Sequence, residues 1–238
     1  MDTDSVYIIP ASEVPEGATV FPAVVLTKCK RRQKTAEVYR HKPRINLDRS
    51  NQKEGLHYDQ TYTPVASWES IQLLLALVFR NNWTTVQIDY VAAFPHAPVD
   101  RECFMRVPRG FKITEPGDWV LRVKKNVYGQ KQAGWVWNKY LLVKLASAEV
   151  GFIHSKQEEC IIYKGNAIYL LYTDNSILAG ISGAGGIPQL QAVRSPLPLP
   201  EYPRQAAVPQ NHQHVHILKR PPVRKVLRKT EGRTRKRR

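Results

Sequence analysis

Residues 167–180 read AIYLLYTDNSILAG, with an apolar run on each side of the polar pair Asp174 and Asn175. This pattern predicts two buried strands joined by a tight turn, because Asp and Asn tolerate the left-handed backbone that such turns require. A second acidic residue, Asp89, interrupts the apolar strand pattern of residues 84–91. A carboxylate in a strand is costly to bury unless a cation or a donor pairs with it. Asp89 and Asp174 together therefore predict a seat for a hard divalent metal ion.

The segments before this hairpin combine helix and strand patterns. Ser67 is a good N-cap for a helix over residues 68–80, which ends at Asn81 and Asn82. The residues predicted to face the core are Ile71, Leu74, Leu75 and Val78 in this helix, and Ala133, Trp137, Tyr140, Leu141 and Leu145 in a second helix over residues 132–148. The pair Trp135 and Trp137 is interpreted as packing rather than as ligand stacking.

Strands are predicted over residues 21–26, 84–91, 104–105, 119–123, 160–163 and 168–172. Strands and helices are mixed, and hairpins replace regular βαβ repeats, so the sequence predicts an α/β chain of the α+β type with antiparallel sheets.

The composition is that of a chain that folds. Of 238 residues, 42% are hydrophobic and 24% are charged. No apolar run reaches the roughly 20 residues that span a bilayer, and the acidic N-terminus lacks the pattern of a secretory signal. The three cysteines Cys29, Cys103 and Cys160 show no zinc or disulfide spacing, which favours reduced thiols. We therefore expect a cytoplasmic or nuclear protein that is neither secreted nor bound to membrane.

The net charge of +16 is concentrated at the C-terminus, where residues 181–238 carry 13 Lys/Arg and two acids. Proline-rich and then basic, this segment is predicted to be disordered. We expect three parts: an N-terminal extension over 1–20, a folded part over 21–180 and the tail over 181–238. The last four residues, Arg235, Lys236, Arg237 and Arg238, favour a polyanion such as nucleic acid. A nuclear import signal is another interpretation of this run, although such runs often arise by chance.

A second basic run lies between residues 28 and 34, directly after the predicted strand 21–26. It has two interpretations that the residues alone leave open. One is a solvated turn, and the other is a finger that faces phosphate groups.

Four segments in a familiar order carry a family resemblance: QIDYVAAF at 87–94, MRVPRGF at 105–111, VYGQKQAG at 127–134 and YTDN at 172–175. They resemble the reverse transcriptase domain of copia-type retrotransposon polyproteins. The similarity covers residues 21–180, and TYTPV at 61–65 also matches it. The resemblance implies an incomplete fingers-and-palm fold, truncated after Gly180, with an antiparallel palm sheet backed by the two helices.

The resemblance also implies a catalytic centre. In the family, the Asp of the first motif and two adjacent Asp of the hairpin motif bind two magnesium ions. Asp89 and Asp174 fill two of these positions, and Asn175 occupies the third. Magnesium prefers charged oxygen ligands, and an amide offers only a neutral carbonyl oxygen. We therefore expect Asn175 to impair nucleotidyl transfer.

Other positions are carried over as contacts for nucleotide or template. Tyr128, Gly129 and Gln130 match the motif that lies beside the incoming nucleotide, and a plain strand-to-helix turn is the alternative. Tyr172 is expected to contact the primer or template backbone. A further pair of basic residues, Lys42 and Arg44, matches a finger position that touches the triphosphate, with Pro43 standing between them.

Three functions follow from these observations. The first is an RNA-directed DNA polymerase that uses a primer–template, deoxynucleotides and magnesium, impaired by Asn175 and truncation. A second is a non-catalytic, basic nucleic-acid-binding remnant whose binding is sequence-blind and weakened by salt. The third is a transposon relic without a function.

Overall fold

The computed structural model describes residues 5–90, 92–173 and 175–181. The α-helices in these ranges are α1 (Trp68–Asn81) and α2 (Ala133–Ala146). The strands are β1 (Val6–Pro10), β2 (Val20–Phe21), β3 (Ala23–Arg31), β4 (Val38–Leu47), β5 (Thr84–Asp89), β6 (Pro98–Arg106), β7 (Trp119–Lys125), β8 (Ile153–His154), β9 (Ile161–Lys164), β10 (Ala167–Tyr172) and β11 (Asn175–Gly180). Of the helices described, neither is both long and apolar enough to cross a membrane.

These strands form three sheets. A five-stranded sheet has the order β5-β11-β10-β9-β8, a four-stranded sheet has the order β1-β7-β6-β2, and β3 and β4 form a two-stranded sheet. All pairings are antiparallel except that of β2 with β6. The expected mixed α/β class is confirmed. The expected tail over 181–238 lies outside the described residues, apart from Ile181.

The first predicted helix is confirmed in position. The hydroxyl of Ser67 accepts a hydrogen bond from the amide of Ser70 (3.1 Å), which caps the N-terminus of α1. The helix ends at Asn81, and Asn82 after it caps the C-terminus with a left-handed backbone (φ 50°). Leu74 is buried as predicted, but Leu75 is 51% exposed, so its prediction as a core residue is wrong. Leu75 instead lines a groove between α1 and the five-stranded sheet.

The second predicted helix is confirmed and supplies the main core. Ala133, Trp137, Leu141 and Leu145 of α2 are all nearly inaccessible. They pack against residues of the five-stranded sheet that include Tyr169 and Leu171, as expected for a helix covering one face of a sheet. Trp137 is 1% exposed, which agrees with its interpretation as a packing residue.

Two tyrosines, Tyr169 fully buried and Tyr90 partly buried, add a polar contact to this core. The hydroxyls of Tyr90 and Tyr169 lie 2.7 Å apart, and Trp137 meets the Tyr90 ring edge to face. Burial raises the pKa of both phenols. Each hydroxyl therefore stays neutral and satisfies the other inside the core.

Part of the segment expected to be an N-terminal extension, residues 1–20, forms a strand. β1 pairs along its full length with β7, from Val6 opposite Val123 to Pro10 opposite Trp119. Ile9 is 3% exposed and packs with Phe104 and Val120. Residues 6–10 are therefore part of the four-stranded sheet.

The basic run beginning at Lys28 also differs from its expected form. Strand β3 continues to Arg31, so Lys28 and Lys30 lie in a strand rather than in a turn. β4 pairs with it over its whole length, and Pro43 stands opposite Thr27. A proline is tolerated in β4 because, among the described strands, β4 pairs with β3 alone and is therefore an edge strand.

Candidate functional site

Three residues of the predicted site form one row across the five-stranded sheet. Asp89, at the end of β5, stands directly opposite Asn175, and Asn175 stands opposite Tyr172 of β10. Directly paired residues share a face of a sheet, and their Cβ atoms lie about 5 Å apart. Asp89 is exposed and Tyr172 is 48% exposed. The row is therefore presented to solvent.

The alternation along β5 explains why Asp89 faces outward. Ile88 is 8% exposed and belongs to the core under α2, whereas Gln87 and Asp89 point to the opposite face. On β11 the buried partner of Ile88 is Ser176, and the partner of Asp89 is Asn175. An acidic residue interrupting an apolar strand thus lies on the open face, and its carboxylate is not desolvated by the core.

The turn of this hairpin lies one residue earlier than predicted. Asn175 is the first residue of β11 and pairs with Tyr172, so it is not a turn residue. Thr173 instead takes the left-handed backbone (φ 53°), which is unusual for a β-branched residue. The indole N–H of Trp137 donates a hydrogen bond to the Thr173 carbonyl (3.1 Å), so α2 helps to hold this conformation. Asp174 lies outside the described residues.

Beside this row the sheet and α1 enclose a groove of about 670 Å³. Its lining includes Trp68, Ile71 and Leu75 of α1 together with Gln87, Tyr172 and Asn175 of the sheet. Trp68 is 65% exposed. The candidate site is therefore an open, mostly apolar surface with amide and phenol groups at one end.

The donor groups of the row fit a hard cation only in part. The Asp89 carboxylate is an oxygen ligand of the type that magnesium prefers, and the Asn175 side chain can add a neutral oxygen. Among the described residues, no three Asp, Glu, His or Cys side chains are grouped closely enough to hold a metal ion. Asp89 with Asn175 therefore fits one ion more weakly than two facing carboxylates would.

The VYGQ motif (residues 127–130) contacts strand β4 near the open end of the β3–β4 hairpin. The guanidinium of Arg44 lies over the Tyr128 ring, 4.9 Å from its centroid. Phe94, which follows β5 by five positions, packs against the same ring at 5.2 Å. Tyr128 thus joins a predicted triphosphate contact to the segment that follows Asp89.

Gly129 allows the close approach between this motif and β4. Its φ is +97°, and a Cβ atom built on it would lie 2.1 Å from the carbonyl oxygen of Leu47. Beside it, the amide of Leu47 donates to the Tyr128 carbonyl (2.8 Å). The glycine is required by packing of the protein's own backbone, which is the turn interpretation that the sequence left open.

Gln130 points inward. It is 5% exposed, and its side-chain oxygen accepts a hydrogen bond from the amide of Val127 (2.8 Å). This contact closes the strand-to-helix turn. The structure therefore does not present the Gln130 side chain to a ligand on the surface.

A buried amide network next to this turn was not found by sequence reasoning. The side chain of Gln52 donates to Gln132 (3.2 Å) and accepts from the Lys131 amide (2.9 Å), while Gln132 also donates to the carbonyl of His57 (3.2 Å). The network fixes the loop of residues 52–58 to the start of α2. About 80 positions separate these partners, and no local pattern marks Gln52 as one of them.

The β3–β4 hairpin carries a basic face. Lys28 stands opposite Lys42, Lys30 opposite Arg40, and Leu26 opposite Arg44, so five cations share one side of the hairpin. Repulsion from Lys30 lowers the pKa of Lys42, and Arg40 and Arg44 act in the same direction. We call Lys28, Lys30, Arg40, Lys42 and Arg44 the basic face. The tail residues Arg235, Lys236, Arg237 and Arg238 lie outside the described residues.

Comparisons with known proteins identify the family of this sequence. The sequence model of a family described as reverse transcriptase (RNA-dependent DNA polymerase) matches residues 12–190, which is most of the chain. The range includes the row of Asp89, Asn175 and Tyr172 as well as the basic face.

Among individual relatives, the chain is 29% identical over 168 residues to the retrovirus-related Pol polyprotein from transposon RE2 of Arabidopsis thaliana. It is 26% identical over 173 residues to that from transposon TNT 1-94 of Nicotiana tabacum, and 28% identical over 108 residues to the Ty1-DR5 Gag-Pol polyprotein of Saccharomyces cerevisiae. These matches cover 67%, 71% and 44% of this chain but only 11%, 13% and 6% of the relatives. The chain belongs to the reverse transcriptase family of transposon Pol polyproteins.

Proposed function

We propose that this chain is a fingers-and-palm portion of a copia-type reverse transcriptase, with a nucleotidyl-transfer centre weakened by Asn175. In this proposal the five-stranded sheet with α1 and α2 forms the palm, and the β3–β4 hairpin with the four-stranded sheet forms the fingers. The observation that carries it is the register of Asp89 opposite Asn175. It brings the first motif and the hairpin motif to one position on an open face.

The Asp89 carboxylate is the proposed magnesium ligand at this position, together with Asp174. A magnesium ion held there would make the primer hydroxyl more acidic and offset the charge that develops on the phosphate during attack. Asn175 supplies a neutral oxygen where the family has a carboxylate. Losing that charge removes about 3 kcal/mol of transition-state stabilisation, or about a hundredfold in rate.

The hairpin supplies the proposed contacts to the incoming deoxynucleotide. Arg44 is held over the Tyr128 ring (4.9 Å), and Lys42 lies two positions away on the same face. Both can pair with a triphosphate, whose binding would relieve the repulsion among the cations of this face. Tyr172, exposed beside Asn175, is the proposed contact to the primer or template backbone.

Primer extension tests this proposal. The wild type and the variants Asp89→Ala and Asn175→Asp are incubated with a poly-A template, an oligo-dT primer and either magnesium or manganese. Asp118→Ala, which removes another exposed carboxylate, is the matched control. We expect slow extension by the wild type, none by Asp89→Ala and unchanged extension by Asp118→Ala. Extension that survives Asp89→Ala would overturn the assignment of the centre.

A second candidate function is supported by the charge of the hairpin. Residues 23–47 contain eight Lys/Arg and a single acid, Glu37. Five of these cations form the basic face, and their mutual repulsion favours a polyanionic partner. The alternative is a non-catalytic protein that binds nucleic acid through phosphate contacts alone.

Salt-dependent binding separates the two functions. The affinity for a fluorescent RNA–DNA duplex is measured from 50 to 300 mM salt for the wild type and for Lys28→Gln/Lys42→Gln. Two lost phosphate contacts should reduce the slope of log affinity against log salt by about 2. The control Lys112→Gln/Lys139→Gln removes the same charge from exposed positions elsewhere and should leave the slope unchanged. Strong binding without extension by any variant would favour the non-catalytic function.

A further inference from the structure

The face of the β3–β4 hairpin opposite the basic face carries a cysteine and a histidine side by side. Cys29 and His41 are direct partners in the β3–β4 register. Both residues are exposed. Pairing of two regular strands fixes their side chains on one face, so their proximity does not depend on a flexible loop.

The two side chains are within hydrogen-bond range. The Sγ atom of Cys29 lies 3.2 Å from the Nδ1 atom of His41. An imidazole nitrogen at this distance can accept the thiol proton and leave a thiolate, which is the reactive form of cysteine. The pair thus has the geometry of an activated nucleophile and its base.

The charge around the pair is strongly positive. Lys28 and Lys30 flank Cys29 in the chain, and Arg40 and Lys42 flank His41. Cations near this thiol attract an anionic reagent to it. The β3–β4 hairpin therefore attracts small molecules that carry negative charge.

The other two cysteines lack these features. Cys103 and Cys160 are buried, with 5% and 0% exposure. Burial raises the pKa of each thiol to about 12. They remain protonated and inaccessible in the folded chain, and so they serve as internal controls for Cys29.

We propose that Cys29 and His41 form a site of covalent modification, at which an anionic peptide disulfide transfers one of its halves to Cys29. His41 takes the thiol proton, and the Cys29 thiolate attacks one sulfur of the disulfide. A new sulfur–sulfur bond forms as the old one breaks, and the departing thiolate takes the proton back. One disulfide and one thiol are consumed, and one of each is produced.

The modification would also regulate the binding surface, a consequence that rests on the proposed nucleic-acid function. A peptide thiol with carboxylate groups adds negative charge to the opposite face of the same two strands, within about a Debye length of the five cations of the basic face. Those carboxylates offset part of the positive charge of the hairpin and so weaken its attraction for phosphate groups. Modified protein would bind a duplex more weakly, and a reductant would reverse the effect.

Intact-mass measurement with oxidised glutathione as the probe tests the site. We expect a single adduct, located at Cys29 by peptide mapping and absent from Cys29→Ser. His41→Gln should slow adduct formation by about tenfold or more, as expected when a general base is lost. The matched control His154→Gln, an exposed histidine in β8, should react at the wild-type rate. Equal rates for His41→Gln and the wild type, or a first adduct at Cys103 or Cys160, would overturn the proposal.

Charge selectivity is tested with a cationic disulfide, cystamine, as the comparison. At low salt we expect Cys29 to react faster with oxidised glutathione than with cystamine. This preference should be lost in Lys28→Gln/Lys42→Gln. It should also be lost at 1 M salt, where charges are screened beyond about 3 Å. A preference for cystamine would contradict the role of the basic face.

Duplex affinity is measured separately on unmodified and modified protein, with Cys29→Ser as the control. A several-fold loss of affinity that dithiothreitol reverses supports regulation. If the unmodified protein binds no duplex, the proposed nucleic-acid function fails, and the mass measurement still decides the Cys29–His41 site.

Discussion

The carbonyl oxygen of Leu47 lies where the side chain of any residue other than glycine at position 129 would begin. A Cβ atom on Gly129 would come within 2.1 Å of this oxygen and within 3.0 Å of the Leu47 amide nitrogen. This close contact lets β4 pack against the VYGQ motif, where Arg44 lies over the Tyr128 ring.

Gly129→Ala should therefore destabilise the protein. The substitution combines a backbone clash with a left-handed φ of +97°, and we expect a loss of about 3 kcal/mol in the free energy of unfolding. Urea unfolding followed by circular dichroism measures it. Gly165→Ala is the control, because Gly165 also has a positive φ (+54°) but no neighbour within 4 Å of the added Cβ. Its cost should be only about 1 kcal/mol, and equal costs would contradict the importance of the Leu47 contact.

Local patterns in the sequence were sufficient for the helices and for the existence of the central hairpin, but not for the position of its turn. The cap at Ser67 and the spacing of Leu74 with its neighbours placed α1, because both signals act within a few residues. Local patterns failed to predict β4, because this strand is exposed on both faces and so lacks the alternation of apolar and polar residues. Pro43 and the clustered charges of β4 are also atypical of a strand, and its formation depends on pairing with β3.

Tertiary pairing also explains the error in the hairpin turn. The pair Asp174 and Asn175 has good turn chemistry, but the register with β5 places Asn175 opposite Asp89 and makes it a strand residue. Thr173 then takes the left-handed backbone despite its β-branched side chain. The hydrogen bond from Trp137 that supports it comes from 36 positions away, a distance at which no sequence motif reports the contact.

Asn175→Asp should create a stronger magnesium site without restoring full polymerase activity. The new carboxylate would stand opposite Asp89 in the β5–β11 register. In EDTA, two like charges directly across a strand pair should lower the stability slightly, whereas magnesium should reverse this loss. Thermal melting with and without magnesium measures the difference. Asn166→Asp, in the exposed turn between β9 and β10, is the control. An unchanged magnesium affinity in Asn175→Asp would count against the metal site.

Trp137→Phe should loosen the hairpin that carries Tyr172. The substitution keeps an aromatic ring in the core but removes the N–H that donates to the Thr173 carbonyl (3.1 Å). We expect a loss of about 1–3 kcal/mol in the free energy of unfolding, since the hydrogen bond is partly buried. Hydrogen exchange of the β10 and β11 amides should accelerate as well. Trp135→Phe, on the same helix but only partly buried, should cost less.

His57 should make the stability fall at acid pH. Its Nδ1 accepts a hydrogen bond from the backbone amide of Lys53 (2.9 Å), and its ring packs edge-on against Phe21. Burial lowers the pKa of His57, and the charges of Lys53 and Arg101 act in the same direction. The unfolded chain, with a histidine pKa near 6.5, therefore binds a proton more readily than the folded chain does. This contribution to stability is complete above about pH 6.5 and declines as the pH falls below that value.

Urea unfolding between pH 7.5 and 5 measures this dependence. His57→Gln should flatten it, because glutamine does not titrate, even if the variant is less stable at every pH. His154→Gln removes an exposed histidine from β8 and serves as the control. A pH dependence in His57→Gln as steep as that of the wild type would show that other groups, and not His57, govern stability in this range.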